Sequence, residues 1–233
     1  MTCLLYCVVD SRTDYGIGAI SGVGGRPLSV VATGGLGAVL SDSTDLDLTP
    51  DKANVLAYHR VITSIHQNGT VIPLRYGQVV KRASAQALEL LAEQGERFAT
   101  LLRELEGCVE MGIRVIVPNV ASRSVSVSPA RPDLSQSLSA GHAFLAARRI
   151  QYSQLEQTAN VHRAIIEQCR AAFAGTFIKC NMESPTIPNS MLALYFLVLQ
   201  DSLNAFRGAF HRMKLTDGAK LLISGPWPPY NFV

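Results

Sequence analysis

Dense clusters of positive charge are missing from this sequence. Its 21 basic and 18 acidic residues are interspersed along 233 residues and leave a formal charge of +3. Proteins that grip a phosphate backbone usually concentrate lysine and arginine in one patch or stripe. The apolar segment 191–198 also lacks the basic residue and the glycine that accompany exposed aromatics in RNA-binding βαββαβ modules. We therefore expect no nucleic acid among the partners of this protein.

Long hydrophobic runs are also missing. The longest, Met191 to Leu199, is far shorter than the roughly 20 apolar residues that a membrane-spanning helix needs. The first residues carry no basic side chain and their apolar run ends at Asp10, which is typical of a buried strand and not of a signal peptide. We expect a soluble protein with no lipid membrane as a partner.

Cysteine is sparse and scattered. The odd number of cysteines, and the absence of any pair at the short spacing of a zinc knuckle or a redox dithiol, argue against a disulfide framework or a zinc site. Isolated cysteines of this kind are usually reduced core residues, as in a cytoplasmic protein. They are Cys3, Cys7, Cys108, Cys169 and Cys180.

Compact catalytic motifs are absent as well. The chain has no nucleophile elbow, no phosphate loop and no paired-histidine zinc motif. His59 and His66 could share a helix face, but no carboxylate or cysteine stands beside them at ligand spacing. The glycine-rich stretch 11–25 lacks the strand-to-helix turn of a dinucleotide fold and is predicted to be a loop or hairpin. We predict no catalytic residue, no metal site and no cofactor, and hence no enzyme.

What is present describes a globular chain with a sizeable core, because 48% of the residues are hydrophobic and 17% are charged. The first half predicts a strand at 3–9, a hairpin that turns at 33–35 and a helix capped by Thr49. Gly95 is expected to divide a later helical stretch into two helices. The apolar stripe of the first helix is expected to comprise Val55, Tyr58, Ile62 and Ile65.

The second half predicts the order strand, helix, strand, strand, helix, strand, which is the split βαβ pattern of a ferredoxin-like domain. The fold class is therefore α+β with two domains. We place the boundary near Gly107, with an N-terminal α/β domain at 1–107 and a ferredoxin-like βαββαβ domain at 108–233. The second domain includes a surface loop at 119–139 and an aromatic and proline-rich tail at 225–233.

The tail is unusual because a chain end is normally polar and mobile. Gly225 and Pro226 are expected to end the last strand, since proline has no N–H for a ladder. The aromatic residues that follow offer large buriable area. The tail is either strapped across its own domain or serves as a segment that docks to a partner. The partner-binding residues predicted in it are Trp227, Tyr230 and Phe232.

A second candidate surface follows the first helix. Pro73 interrupts a predicted strand at 70–74, so this strand belongs at a sheet edge or a bulge. Arg75 and Tyr76 come next and are predicted partner-binding residues. For Arg75 the sequence favours a structural role, in which the guanidinium bonds the carbonyl end of a neighbouring helix or strand. The alternative role is to grip an anionic partner.

Two of these segments resemble known motifs. The tail sequence Gly-Pro-Trp-Pro-Pro-Tyr-Asn-Phe at 225–232 is similar to the C-terminal signature of the gas vesicle protein family of the F/L type. Thr-Val-Ile-Pro-Leu-Arg-Tyr-Gly at 70–77 resembles the other recognisable motif of that family. Within the family the F type is the closer assignment, and the resemblance implies the same two-domain architecture.

The resemblance further implies a minor component of gas vesicles, associated with the vesicle wall, that works with the small hydrophobic shell protein and with other minor gas vesicle proteins. An unassembled β-rich shell protein exposes strand edges that invite aggregation, so a partner could hold it during nucleation and growth. The alternative is a ferredoxin-like small-molecule-binding protein or a cofactor-independent oxygenase, with a pocket between helix and sheet.

Overall fold

A computed structural model of the chain describes residues 2–45, 47–81, 83–116, 140–183, 191–214 and 219–233. The predicted surface loop 119–139 and the predicted turn at 184–188 lie outside these residues. The described part has a mixed α/β architecture with two sheets and five α-helices. By their contacts the residues form two compact units. Unit 1 comprises Met1–Met111, Leu197–Asp201 and Gly225–Val233, and unit 2 comprises Gly112–Phe196 and Ser202–Ser224.

The first sheet is antiparallel and is built around its first strand. The strands follow the order β2-β3-β1-β4, and β5 also pairs with β1 next to β4. Gly34 and Gly35 turn the predicted hairpin between β2 and β3 with positive φ values of 58° and 83°, a conformation that glycine adopts without strain. The strands are β1 Thr2–Asp10, β2 Leu28–Thr33, β3 Leu36–Asp42, β4 Val71–Pro73 and β5 Val79–Lys81.

Strand β1 is buried on both faces, because its residues from Cys3 to Val9 are all apolar or aromatic. Helices α2 (Ala83–Glu93) and α3 (Gly95–Glu104) contribute to the core cluster on one face, and α1 (Lys52–His66) to the cluster on the other. The pairing of β1 with β3 shifts register between Leu5 and Cys7. This irregularity moves Val8 to the face of Leu5, which strict alternation would not allow.

Helix α1 begins later than the sequence predicts. Asp51, and not Thr49, is the N-cap, and its carboxylate accepts the N–H of Asn54 at 2.7 Å. The Thr49 hydroxyl donates to the carboxylate of Asp47 and is therefore engaged. An aspartate caps well because its charge also complements the positive end of the helix dipole.

The buried stripe of α1 also differs from the predicted one. Tyr58, Ile62 and Ile65 are buried as expected, but Val61 is buried with them and Val55 is 39% exposed. A helix face that packs on a sheet is wider than a single row of residues at spacings of three and four. The face therefore shifts by part of a turn and leaves Val55 at the surface.

The second sheet has the strand order β7-β8-β6-β9. Its strands alternate with two helices in the sequence β6, α4, β7, β8, α5, β9. Strand β8 lies inside the sheet and is buried, as its uninterrupted apolar run predicts. The bounds are β6 Cys108–Ile116, α4 Ala140–Ala172, β7 Lys179–Glu183, β8 Leu192–Leu199, α5 Leu203–Arg212 and β9 Lys220–Trp227.

The prediction that Gly225 and Pro226 end the last strand is wrong, because β9 continues through both residues to Trp227. Among the described strands, β9 lies at an edge of the sheet and pairs with β6 alone. Proline is tolerated in an edge strand, because its missing N–H can face the outer side, where there is no neighbouring strand to bond.

An aromatic cluster forms the core of unit 2. The rings of Phe173 and Phe206 stack with centroids 4.5 Å apart, and Phe196 lies 5.2 Å from Phe173 and 5.4 Å from Phe206. All three side chains are fully buried. Offset and tilted aromatic contacts of this kind stabilise a core beyond the area that they bury.

The buried hydroxyl of Tyr58 ties α1 to the irregular part of β1. It lies 2.9 Å from the carbonyl oxygen of Leu5, 3.1 Å from that of Tyr6 and 2.9 Å from that of Leu74. The ring of Tyr58 stacks on that of Tyr6, with centroids 5.0 Å apart. The hydroxyl thus has three backbone oxygens within hydrogen-bond distance, of which that of Tyr6 also accepts the N–H of Leu74 at 2.9 Å.

We predict that Tyr58→Phe lowers the free energy of unfolding by about 1–3 kcal/mol, because the ring stays while buried carbonyl oxygens lose their donor. Urea denaturation followed by circular dichroism measures the change. Tyr152→Phe is the matched control, since Tyr152 is 58% exposed on α4. Equal midpoints for Tyr58→Phe and the unchanged protein would contradict the assigned role of the hydroxyl.

Candidate partner-binding surface

The tail is held in unit 1 by a buried carboxylate. Glu110 on β6 is only 3% exposed. Its two oxygens accept the backbone N–H of Asn231 at 2.8 Å and the side-chain amide of Asn231 at 2.7 Å. Burial raises the pKa of Glu110, and the two hydrogen bonds from Asn231 oppose that rise. A buried acid is tolerated when its acceptors are satisfied, as they are here.

Sequence analysis did not identify Glu110 as a functional residue. The available signal was a glutamate between Val109 and Met111, in a strand whose only other charged residue is Arg114. A charged residue in such a position is almost never fully buried unless it has a partner. Nothing in the local sequence identifies Asn231, 121 positions away, as that partner.

The close passage of the tail over β6 requires glycine at position 225. Its φ is +107°, and a Cβ atom placed there would lie 2.7 Å from the carbonyl oxygen of Glu110. Both features exclude a larger side chain without movement of the backbone. A steric and conformational requirement of the backbone therefore explains why glycine occupies the first position of the Gly-Pro-Trp sequence.

His59 on α1 contacts two aromatic residues of the tail. The Tyr230 hydroxyl and Nδ1 of His59 share a hydrogen bond of 2.8 Å. The Trp227 ring meets the imidazole edge to face, with centroids 5.2 Å apart. Burial lowers the pKa of His59 and raises the pKa of Tyr230, so both groups are neutral near pH 7.

The predicted tail residues play different parts in the structure. Tyr230 packs against the core cluster on the α1 side of the first sheet, and Phe232 packs against the cluster on the α2 and α3 side. Pro228 and Pro229, which precede Tyr230 in the sequence, are buried. Trp227 is 40% exposed although its ring is held on His59. The tail is therefore strapped onto unit 1, and it presents its tryptophan at the surface.

The segment 70–77 forms the outer edge of the first sheet. Pro73 lies in β4, the last strand in the order, so its predicted edge position is confirmed. Gly77 has a φ of 88° in the turn that leads from β4 to β5. Tyr76 is half-buried; its hydroxyl donates to the carbonyl oxygen of Leu48 at 3.2 Å, and its ring lies edge to face on Tyr58.

Arg75 has no side-chain hydrogen bond or ion pair within the described part of the chain, and the structural role that the sequence favours for it stays a prediction. Arg75 lines a groove of about 480 Å³ in unit 1. Its charge is available to a partner.

A cleft of about 840 Å³ in unit 1 is lined by several titratable side chains, among them Asp10, Tyr15 and His66. The Asp10 carboxylate accepts bonds from Arg12, which lower the pKa of Asp10 to about 2 and keep it ionised. Tyr15 donates to the carbonyl oxygen of Thr70 at 3.1 Å. Nδ1 of His66 lies 3.3 Å from the carbonyl oxygen of Gly69, and burial lowers the pKa of His66. These bonds are structural.

Further histidine and cysteine side chains lie outside this cleft. His162 is half-buried on α4, and burial lowers its pKa. The cysteines are free thiols, and burial raises the pKa of Cys169 to about 12. Over the residues that the structure describes, no three histidine, cysteine or acidic side chains form a group that could hold a metal ion. None of the described helices combines the length and hydrophobicity needed to cross a bilayer.

Fold and surface together define an α/β protein with a docked aromatic tail and an exposed basic side chain at a sheet edge. Residues 2–233 match the family model described as gas vesicle synthesis protein GvpL/GvpF. The chain therefore belongs to the GvpL/GvpF family of gas vesicle proteins. Membership in this family supports a role in gas vesicles.

Similar proteins agree over nearly the whole length. Gas vesicle protein F of Streptomyces sp. (strain CB03234) is 26% identical, with 89% of this chain and 88% of the relative covered. Gas vesicle protein L2 of Halobacterium salinarum is 24% identical, with 98% and 90% covered. The crystal structure of GvpF from Anabaena sp. PCC7120 superimposes with a TM-score of 0.77 at 16% identity, covering 99% of this chain and 95% of that one. These relatives carry both F and L names.

We predict that Asn231→Asp destabilises the protein by about 1–3 kcal/mol at pH 7, because a second carboxylate replaces the amide donor of buried Glu110. A carboxyl group with a raised pKa in the folded state contributes stability below its unfolded pKa and loses it as pH rises. The deficit should therefore shrink as pH falls towards 5. Chemical denaturation at both pH values measures it.

Asn204→Asp, at an exposed position of α5, is the control for the added charge. Its stability should change little at either pH. A deficit in Asn231→Asp that stays constant between pH 7 and pH 5 would contradict the coupling to Glu110.

We also predict that the fluorescence of Trp227, the only tryptophan, titrates with His59. Burial favours the neutral imidazole, so the midpoint should fall below the ordinary histidine pKa of about 6.5. Protonation below that midpoint quenches the adjacent indole and opposes docking of the tail. His59→Gln should abolish the titration and His211→Gln, at an exposed position, should not. An unchanged titration in His59→Gln would refute the assignment.

Proposed function

We propose that this protein is a minor structural and assembly component of gas vesicles. It binds the hydrophobic shell protein and limits its aggregation while the vesicle wall nucleates and grows. Its place is at the vesicle wall, where other minor gas vesicle proteins are further partners, and its role is non-catalytic. Family membership and the names of its relatives support the gas vesicle part of this proposal.

The observation that carries the proposal is the position of Trp227. The ring is fixed on His59 and is still 40% exposed. Val55 lies one helical turn before His59 on α1 and is exposed, as is the neighbouring Leu56. A rigid aromatic ring beside exposed aliphatic residues offers apolar contact area at a low cost in conformational entropy. This surface, defined by Trp227, Val55 and Leu56, suits an oily partner.

The other predicted partner-binding residues support this surface in different ways. Tyr230 and Phe232 anchor the tail through the core and so fix the position of Trp227. Tyr76 anchors the turn after β4 through its bond to Leu48. Arg75 contributes a free positive charge. In this proposal the aromatic anchors pre-organise the surface, while Trp227 and Arg75 make the contacts.

The proposed architecture is a ferredoxin-like domain at 108–233 joined to an α/β domain at 1–107. The element order β6, α4, β7, β8, α5, β9 and the strand order β7-β8-β6-β9 support it, since the first and third strands of the motif are the central pair. The tail 225–233 belongs to the second domain in sequence but groups with unit 1 by its contacts.

A second candidate function is small-molecule binding or a cofactor-independent oxygenase. The cleft that contains Tyr15 and His66 favours it, because its volume of about 840 Å³ suits a small ligand. The ion pair of Asp10 and the backbone bonds of Tyr15 and His66 weigh against catalysis. A ligand released on denaturation and detected by mass spectrometry would support this second function.

We predict that the protein, added in equimolar amount to shell protein diluted from denaturant, lowers the rise in light scattering. Trp227→Ala should raise the concentration needed for half-suppression about tenfold or more, the loss typical of a central tryptophan. Tyr152→Ala is the matched control because it removes an exposed aromatic residue elsewhere. If the intact protein leaves aggregation unchanged, the proposal that it binds unassembled shell protein is rejected. If Trp227→Ala suppresses aggregation as well as the intact protein does, the proposed binding surface around Trp227 is rejected.

A further inference from the structure

The groove beside Arg75 has an apolar floor. It lies in unit 1, between the edge formed by β4 and β5 and the helices α2 and α3. Its volume of about 480 Å³ accommodates several side chains of a ligand. The residues that supply the apolar lining are chiefly Ile72, Val79, Val80, Leu90, Phe98 and Leu101.

The charged side chains of the groove are all positive. Arg75 and Arg97 line it together with Gln78 and Gln94; none of its side chains is acidic, and Val233 of the tail also lines it. Arg97 is partly engaged, since it donates to Gln94 at 3.2 Å and also borders a separate depression with Glu93 and Glu96. Arg75 has no such neighbour. It is therefore the residue that selects the charge of an occupant.

The groove also exposes hydrogen-bonding groups of the main chain. Strand β5 pairs with β1 alone among the described strands. The N–H of Leu5 donates to the carbonyl oxygen of Gln78, and Leu4 lies opposite Val79. Because bonded positions alternate in an antiparallel ladder, the N–H and C=O groups of Val79 and Lys81 point away from β1. An added strand could bond to them.

We infer that this groove binds an extended polypeptide segment that alternates apolar side chains along the β5 edge and places a carboxylate against Arg75. The apolar lining contacts the apolar side chains of the segment, the main chain of β5 bonds to its backbone, and Arg75 pairs with its carboxylate. A second copy of this chain does not fit, because its own edge carries Arg75 and Lys81 and like charges would meet. The inference deepens the proposed function and rests on it for the identity of the partner, since it specifies the part of a β-rich partner that is captured.

The test uses a short fluorescein-labelled peptide in which valine alternates with threonine around one central glutamate, and two matched peptides with glutamine or lysine in its place. Fluorescence anisotropy with the full-length protein should show the glutamate peptide binding about tenfold more tightly than either control peptide. Arg75→Glu should remove that preference and improve binding of the lysine peptide. Arg60→Glu, at an exposed position of α1, should leave all affinities unchanged.

Equal affinity for the three peptides, or no saturable binding of any, would overturn the inference. So would Arg75-dependent binding of octanoate, an aliphatic carboxylate, without binding of the glutamate peptide, because the groove would then be a small-molecule site. Suppression of shell-protein aggregation that depends on Trp227 would survive any of these results. If the protein binds the glutamate peptide but does not suppress shell-protein aggregation, the proposed function is rejected and the groove remains a peptide-binding site.

Discussion

The burial of β1 on both faces is the constraint on which unit 1 depends. A strand covered on both sides needs apolar residues at nearly every position, and the register shift between Leu5 and Cys7 distributes them between the two core clusters. At this shift the Tyr58 hydroxyl lies within hydrogen-bond distance of the backbone oxygens of Leu5 and Tyr6. The same hydroxyl also reaches Leu74, so the turn that carries Arg75 is fixed by the packing of the central strand.

Both candidate surfaces are rigid for the same reason: each exposed group is placed by a buried one. Trp227 is held between the close approach of Gly225 to β6 and the anchor that Asn231 forms with Glu110. Arg75 stands in a turn that Tyr76 anchors. A binding surface made in advance loses little entropy when a partner arrives. This is the physical basis on which we propose a holding function for a member of the GvpL/GvpF family.

Much of the fold could be predicted from local patterns. The hairpin at 33–35, the division of the helical stretch at Gly95, the long helix α4, the buried strand β8 and the edge position of Pro73 all follow from periodicity and from the chemistry of glycine and proline. The predictions that were wrong concern the exact residues at which a helix begins and a strand ends. Asp51 displaced Thr49 as the cap of α1, and β9 ran through Pro226 because an edge strand needs partners on one side only.

The sequence by itself determined the α+β order of elements, the aromatic character of the tail and the residues that mark the family, because these depend on composition and short spacing. Tertiary structure alone decided that Glu110 holds Asn231, that His59 supports Trp227 and that Arg75 lines an apolar groove. Contacts between residues more than a hundred positions apart depend on how sheets and helices pack. The pattern of residues within one helix or strand does not show which distant residue will pack against it.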